Sequence, residues 1–204
     1  MKSKKSALAP RFNRKLMERG IRIFLQGIGP VVPPSVLRET PRQVAEAWAG
    51  ELLAGYRKDG KQLLVPLAED PPDSLIVVRG IRFVSICRHH LLPFQGTAAV
   101  GYLPGPHLAG FSSLARLVDS VARRLQIQED LSEEILDHLE AVLSPRGAAC
   151  LLEASHQCMT CRGAAQPGSL VTTLRYRGVF AKKADMRRDL VALLAGPPNY
   201  SERE

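Results

Sequence analysis

Two pairs of apolar, β-branched runs bracket two helical runs, and that order leaves few folds open. The run SLIVVRGIRFVSIC (74–87) is rich in Ile and Val and long enough for a strand, with a break at Gly80. GTAAVGYL (96–103) reads as a second strand. Across 112–125, Leu114, Leu117, Val118, Val121 and Leu125 recur on one helical face. A second helix over 132–143 groups Ile135, Leu136, Leu139, Val142 and Leu143, and Pro145 with Gly147 ends it. GAACLLEASH (147–156) and SLVTTLRYRGVF (169–180) read as two more strands, and a last helix covers 184–195. Strands adjacent in sequence with short connections pair antiparallel, and helices inserted between the pairs cover one face. The predicted fold class is therefore α+β, an antiparallel sheet with helices on one face. No repeat of fixed period is visible.

The N-terminal third differs in character. Residues 1–13 read as a basic, disordered arm, and 14–26 as a first helix with a loose apolar pattern. GIGPVVPPS is loop-like, punctuated by Pro and Gly. Thr40-Pro41 reads as an N-cap followed by proline at the first helical position. Val44, Trp48 and Leu52 then recur at helical spacing, and Gly55 is the stop, which predicts a helix over 40–54. The division expected is an arm over 1–13, a helical appendage over 14–72 and a main domain over 73–204.

Bulk properties exclude several classes. No apolar run approaches the ~18 residues that span a bilayer, and no apolar core of a secretory signal follows the basic N-terminus. A cytoplasmic protein without a membrane partner is expected. The net charge of +8 suits anionic partners or simply a solvated basic surface. Only 5 % of residues are aromatic and none interleave a basic patch, which argues against a nucleic-acid binder. In a reducing compartment, Cys87, Cys150, Cys158 and Cys161 are thiols or metal ligands rather than a disulfide framework.

Chemistry concentrates in two short segments. Cys87 and His90, three residues apart, fit zinc in ligand type, but two ligands are too few for a tight site. His156-Gln157-Cys158-Met159-Thr160-Cys161 supplies candidates for the rest. Three protein ligands with an open fourth position make a catalytic zinc. Cys87, His90, Cys158 and Cys161 together would make a structural one. Cys158-x-x-Cys161 is also compatible with a redox pair. The residue types alone leave these open.

A resemblance narrows them. CRHHLLPFQGTAAVGYLP, GFSSLARLVDSVARRLQIQEDL and EASHQCMTCRG resemble, in order and spacing, three blocks of the GTP cyclohydrolase I family. The resemblance implies a tunnelling-type fold and a zinc held by Cys87, His90 and Cys158, with Cys161 not a ligand. It makes His89 and His156 acid/base residues. Gln128 and Glu129 fall where the family meets the guanine edge, Ser112 and Arg116 where it holds ribose and phosphate, and Arg162 at another phosphate contact. The activity implied is opening of the guanine imidazole ring of GTP, with formate release and formation of 7,8-dihydroneopterin triphosphate for a pterin or tetrahydrofolate pathway. The assembly implied is a homo-oligomer, a decamer of two rings.

Departures cluster on the anion-binding side. Ser113 and Gln43 stand where the family commonly has cations, and Arg88 replaces an acidic residue. Each charge-assisted hydrogen bond contributes about 1.5–3 kcal/mol, so two lost cations should weaken the grip on a terminal phosphate unless Arg88 or Arg42 compensates. A relative acting on a nucleotide with fewer phosphates, or one stopping at another product, is the alternative. A zinc-containing binding protein without turnover is the rival from another class.

Overall fold

The computed structural model describes residues 12–67 and 70–196. In chain order the elements are α1 (Arg14–Ile28), α2 (Pro34–Ala47), β1 (Pro66–Leu67), β2 (Ile76–Cys87), β3 (Pro93–Leu103) and β4 (Leu108–Ala109). They continue with α3 (Phe111–Ala122), β5 (Leu125–Gln126), α4 (Gln128–Leu143), β6 (Gly147–His156), α5 (Gln157–Thr160), β7 (Val171–Gly178), α6 (Val179–Lys182) and α7 (Ala184–Ala195). The basic arm read over 1–13 lies outside the described residues, except that Phe12 and Asn13 are placed. The Asn13 side chain caps α1 by accepting from the Leu16 N–H at 3.0 Å.

The N-terminal helix expected over 40–54 starts earlier. It begins at Pro34, with Pro33 in an extended conformation before it, so Pro34 and not Pro41 takes the first-turn place. Pro41 sits buried inside α2. A proline there cannot donate to the carbonyl four residues back, which orphans Leu37 O. Arg22 of α1 replaces the missing donor, its guanidinium reaching Leu37 O at 2.6 Å. The helix then runs on through a π-type turn at Trp48–Leu52.

The main sheet has the order β5-β2-β3-β6-β7, and its four long strands are antiparallel neighbours, as the runs of sequence predicted. The break at Gly80 is a bulge. Its φ is +71°, a conformation open to glycine, and the β2–β3 register shifts between Val78 and Ile81. Three short strands were not foreseen: β1 and β4, which pair antiparallel as a separate two-stranded sheet, and β5. Leu125, read as the end of a helix, instead forms β5 with Gln126 and pairs parallel with Ile86–Cys87 at the end of β2.

Alternation along the strands sets two faces. Ile81, Phe83, Ala98, Val100, Tyr102, Cys150, Leu152 and Ala154 turn toward α3 and α4, whose Leu114, Leu117, Val121, Leu131, Ile135 and Leu139 complete the core. Each fully buried Leu, Ile or Phe contributes about 1.5–3 kcal/mol. A smaller cluster on the opposite face joins Ala99, Leu103 and Ala149 to Phe180 and to Leu190 and Leu194 of α7. All four cysteines are free, and no helix among the described residues is long and apolar enough to cross a membrane.

Candidate active site

The topology gathers three strand ends. β2 and β6 both flank β3 antiparallel, so their C-termini lie at one end of the sheet, on either side of the start of β3. β5 runs parallel to β2 and therefore ends there too. Each of the three strands ends beside residues the sequence had singled out. Cys87 closes β2, Gln128 and Glu129 open α4 after β5, and His156 closes β6 just before Cys158 in α5.

The turn after β2 is tight. Cys87 N–H donates to Leu92 O and Leu91 N–H to Cys87 O, both at 2.9 Å, with Leu91 held at φ 56°. This folds His90 back onto Cys87, placing its Nδ1 3.8 Å from the Cys87 Sγ. One ligand atom each from Cys87, His90 and Cys158 lies within 4.8 Å of the others. Zinc bound tetrahedrally by sulfur and nitrogen separates its ligand atoms by about 3.6–3.8 Å, from bond lengths of ~2.3 and ~2.0–2.1 Å. Two soft thiols and an imidazole at this spacing fit such an ion. Burial, and then the neighbouring Cys87, push the Cys158 thiol up from its ordinary range, with Arg162 opposing. A cation between the two sulfurs would relieve that repulsion. Cys161 is outside the cluster; it is exposed, and its thiol donates to Gln157 O at 2.8 Å.

His156 stands beside the cluster. Its ring stacks on Phe94 with centroids 4.6 Å apart and planes 5° from parallel. Phe94 is itself fully buried, edge-on to Phe83. Burial lowers the His156 pKa and the charge of Glu129 opposes that. Glu129 is exposed in the first turn of α4, where the helix dipole favours a carboxylate. His89 is exposed, edge-to-face with His90. Phe94, which reading for polar chemistry had passed over, lies inside the CRHHLLPFQG run, and its signal was that position alone.

Other expected site residues are placed differently. Gln128 is 1 % exposed, and its amide faces His156, Leu152 O, Val171 O and Thr173 rather than solvent. Ser112 and Arg116 are exposed on α3, four residues apart, and no hydrogen bond or ion pair among the described residues ties them to the cluster. Arg162 is exposed close enough to act on Cys158. Ser113 is buried, its hydroxyl donating to Gly110 O at 2.6 Å. The two arginines proposed as substitutes are both paired, Arg88 with Asp130 at 2.8 Å and Arg42 with Glu46 at 2.9 Å. A concavity of about 550 Å³ lined by Arg82, Gln95, Thr97 and Glu153 contains none of the cluster. The converging donor atoms, not that hollow, locate the site.

The sequence model of the GTP cyclohydrolase I family matches residues 17–195. A protein of Rhodopirellula baltica named GTP cyclohydrolase 1 is 42 % identical over 179 residues, covering 87 % of this chain and 77 % of the relative. One of the same name from Geobacillus kaustophilus is 39 % identical over 186 residues, covering 91 % of this chain and 98 % of the relative. Among solved structures, the apo form of a QueF-like archaeosine synthase overlaps 53 % of this chain and 97 % of its own at a TM-score of 0.44 and 18 % identity.

Proposed function

Because the chain belongs to the GTP cyclohydrolase I family, a family of hydrolases, we propose that it opens the guanine imidazole ring of GTP in a zinc-dependent reaction. Formate is released, and the pyrimidine and sugar carbons close to 7,8-dihydroneopterin triphosphate. The observation that carries this reading is the convergence of the Cys87, His90 and Cys158 ligand atoms within 4.8 Å of one another, with His156 two residues before Cys158. Zinc held by those three residues would supply Lewis acidity, making hydroxide available for attack at C8 near neutral pH.

The remaining work falls to the chain's own side chains. The Glu129 carboxylate accepts from guanine N1–H and the exocyclic amine, a donor pair that adenine lacks. His156 hands a proton to N7 as the ring opens, and His89 protonates the ribose ring oxygen in the later rearrangement. Ser112 and Arg116 take the ribose and phosphates with Arg162. Neither arginine has an ion-pair partner among the described residues, which leaves both available to an anion.

A second reading has an observation of its own. Ser113 points inward, and Arg88 and Arg42 are each paired with a carboxylate among the described residues, so neither arginine is a free replacement for the two missing cations. We infer a weaker preference for GTP over GDP or GMP than the family pattern implies. The site is also proposed to be completed in a homo-oligomer, a decamer of two rings. α1 buries no residue and exposes Leu16, Ile23, Phe24 and Ile28, while β7 offers an open sheet edge. Four free thiols suit a reducing, cytoplasmic setting.

The deciding experiment is a panel of GTP, GDP, GMP and ATP assayed for formate and pterin fluorescence, with zinc-loaded and chelator-treated protein. Formate from guanine nucleotides only, abolished by chelation and restored by zinc, is expected. A zinc-loaded protein that binds GTP without releasing formate would replace the enzyme by the binding-protein reading.

A further inference from the structure

Gln128 adjoins Glu129, and the family resemblance groups both with base recognition. Its surroundings give it other work. The side chain is 1 % exposed. Its Nε2 lies 3.2 Å from Leu152 O, 2.9 Å from Val171 O and 3.3 Å from the Thr173 Oγ1. Its Oε1 lies 2.7 Å from the Nε2 of His156. An amide nitrogen has two hydrogens, and these partners use both of them. Turning the amide over would aim its oxygen at two carbonyl oxygens that have nothing to donate, and bury the mismatch. The backbone of β6 and β7 therefore decides which end of the amide faces His156, and that end is an acceptor.

An acceptor 2.7 Å from a ring nitrogen requires a hydrogen on that nitrogen. The neutral imidazole of His156 is thus held as the Nε2–H form, with the lone pair on Nδ1. Phe94 fixes the plane of the same ring by stacking on it at 4.6 Å and 5°. One contact sets the plane and the other sets the rotation within it. Nε2 is occupied, so a proton can reach or leave a reacting group only through Nδ1.

We propose that Gln128 is a positioning residue that locks the tautomer and orientation of His156, presenting Nδ1 to the substrate, and that it does not read the base. This deepens, and rests on, the reading of His156 as the proton donor. The residue acts through His156 and touches no reacting atom.

Two measurements test it on the zinc-loaded, full-length protein. The first needs no variant: ring ¹⁵N spectra of histidine-labelled, sedimented protein, with the His156 signals assigned by their loss in His156→Ala. A protonated Nε2 and an unprotonated Nδ1 are expected in the neutral ring; the reverse tautomer overturns the proposal. The second is Gln128→Met, close in shape but without the acceptor. The tautomers should mix, kcat should fall about 10²-fold, in the range of a misaligned acid/base group, and KM for GTP should stay within about twofold with full zinc content. A raised KM at unchanged kcat would overturn the proposal and return Gln128 to base recognition. Full kcat in His156→Ala would instead sink the proton-donor role of His156, while the nitrogen spectra still decide the lock separately.

Discussion

Replacing Cys158 by Ser, and Cys161 by Ser in a parallel variant, separates the metal-site alternatives most sharply. The two residues are three apart in sequence, yet only Cys158 offers a sulfur within 4.8 Å of the Cys87 and His90 donors. Four-ligand zinc sites release about 10–16 kcal/mol on binding, or about 2.5–4 kcal/mol per ligand. Cys158→Ser exchanges a thiolate for a poorly ionised hydroxyl and should forfeit most of one such share. Zinc should then bind roughly 10²–10³-fold more weakly. Cys161 is exposed, and the hydrogen bond of its thiol to Gln157 O at 2.8 Å is one a serine hydroxyl can also make. Cys161→Ser should therefore keep its metal. The assay is zinc content by atomic absorption after equilibration against stepped chelator concentrations, with formate release measured in parallel. Both variants fold around the same core, because neither residue is among its fully buried side chains. Loss of zinc from Cys161→Ser with retention in Cys158→Ser would refute the assignment. Equal loss from both would favour the four-ligand structural site.

Glu129→Gln places a donor against the guanine donors, a mismatch of about 1–3 kcal/mol. Ring opening of GTP should fall about 5- to 150-fold; unchanged kinetics would mean that the base is read elsewhere. Glu134 gives a pH prediction. Burial pushes its carboxyl up, but the His138 ring 3.7 Å away and the Arg124 guanidinium that donates to it outweigh this and hold it below the ordinary 4.5. A depressed carboxylate adds stability that is present above its unfolded pKa and lost as pH falls through the folded value. Glu134→Gln should therefore flatten the acid limb of stability below about pH 4.5, read from urea midpoints; an unaltered acid limb would show that the network is solvent-screened.

The order of the four long strands and of the helices between them, their antiparallel pairing and the segments that carry chemistry were legible along the chain. Those are local or periodic signals. β-Branched runs mark β2, β3, β6 and β7, helical repeats of leucine mark α3 and α4, and Cys87-x-x-His90 brings two side chains able to ligate a metal into one tight turn. Tertiary structure decided what no local signal encodes. Pro41 reads as a helix start, and it is tolerated inside α2 only because Arg22 arrives from another helix to satisfy Leu37 O. Leu125 continues an apolar helical pattern, but with Gln126 its backbone gains a partner at the end of β2 and becomes a strand. Ser113 and Gln128 look like neighbours of a binding site along the chain. The first turns into the core, and the second is engaged by the carbonyls of β6 and β7 and by His156. A residue's type and spacing state what bonds it can make. Which partners it meets depends on strands and helices far apart in sequence, and only their packing settles whether a polar side chain faces the substrate or holds another residue in place.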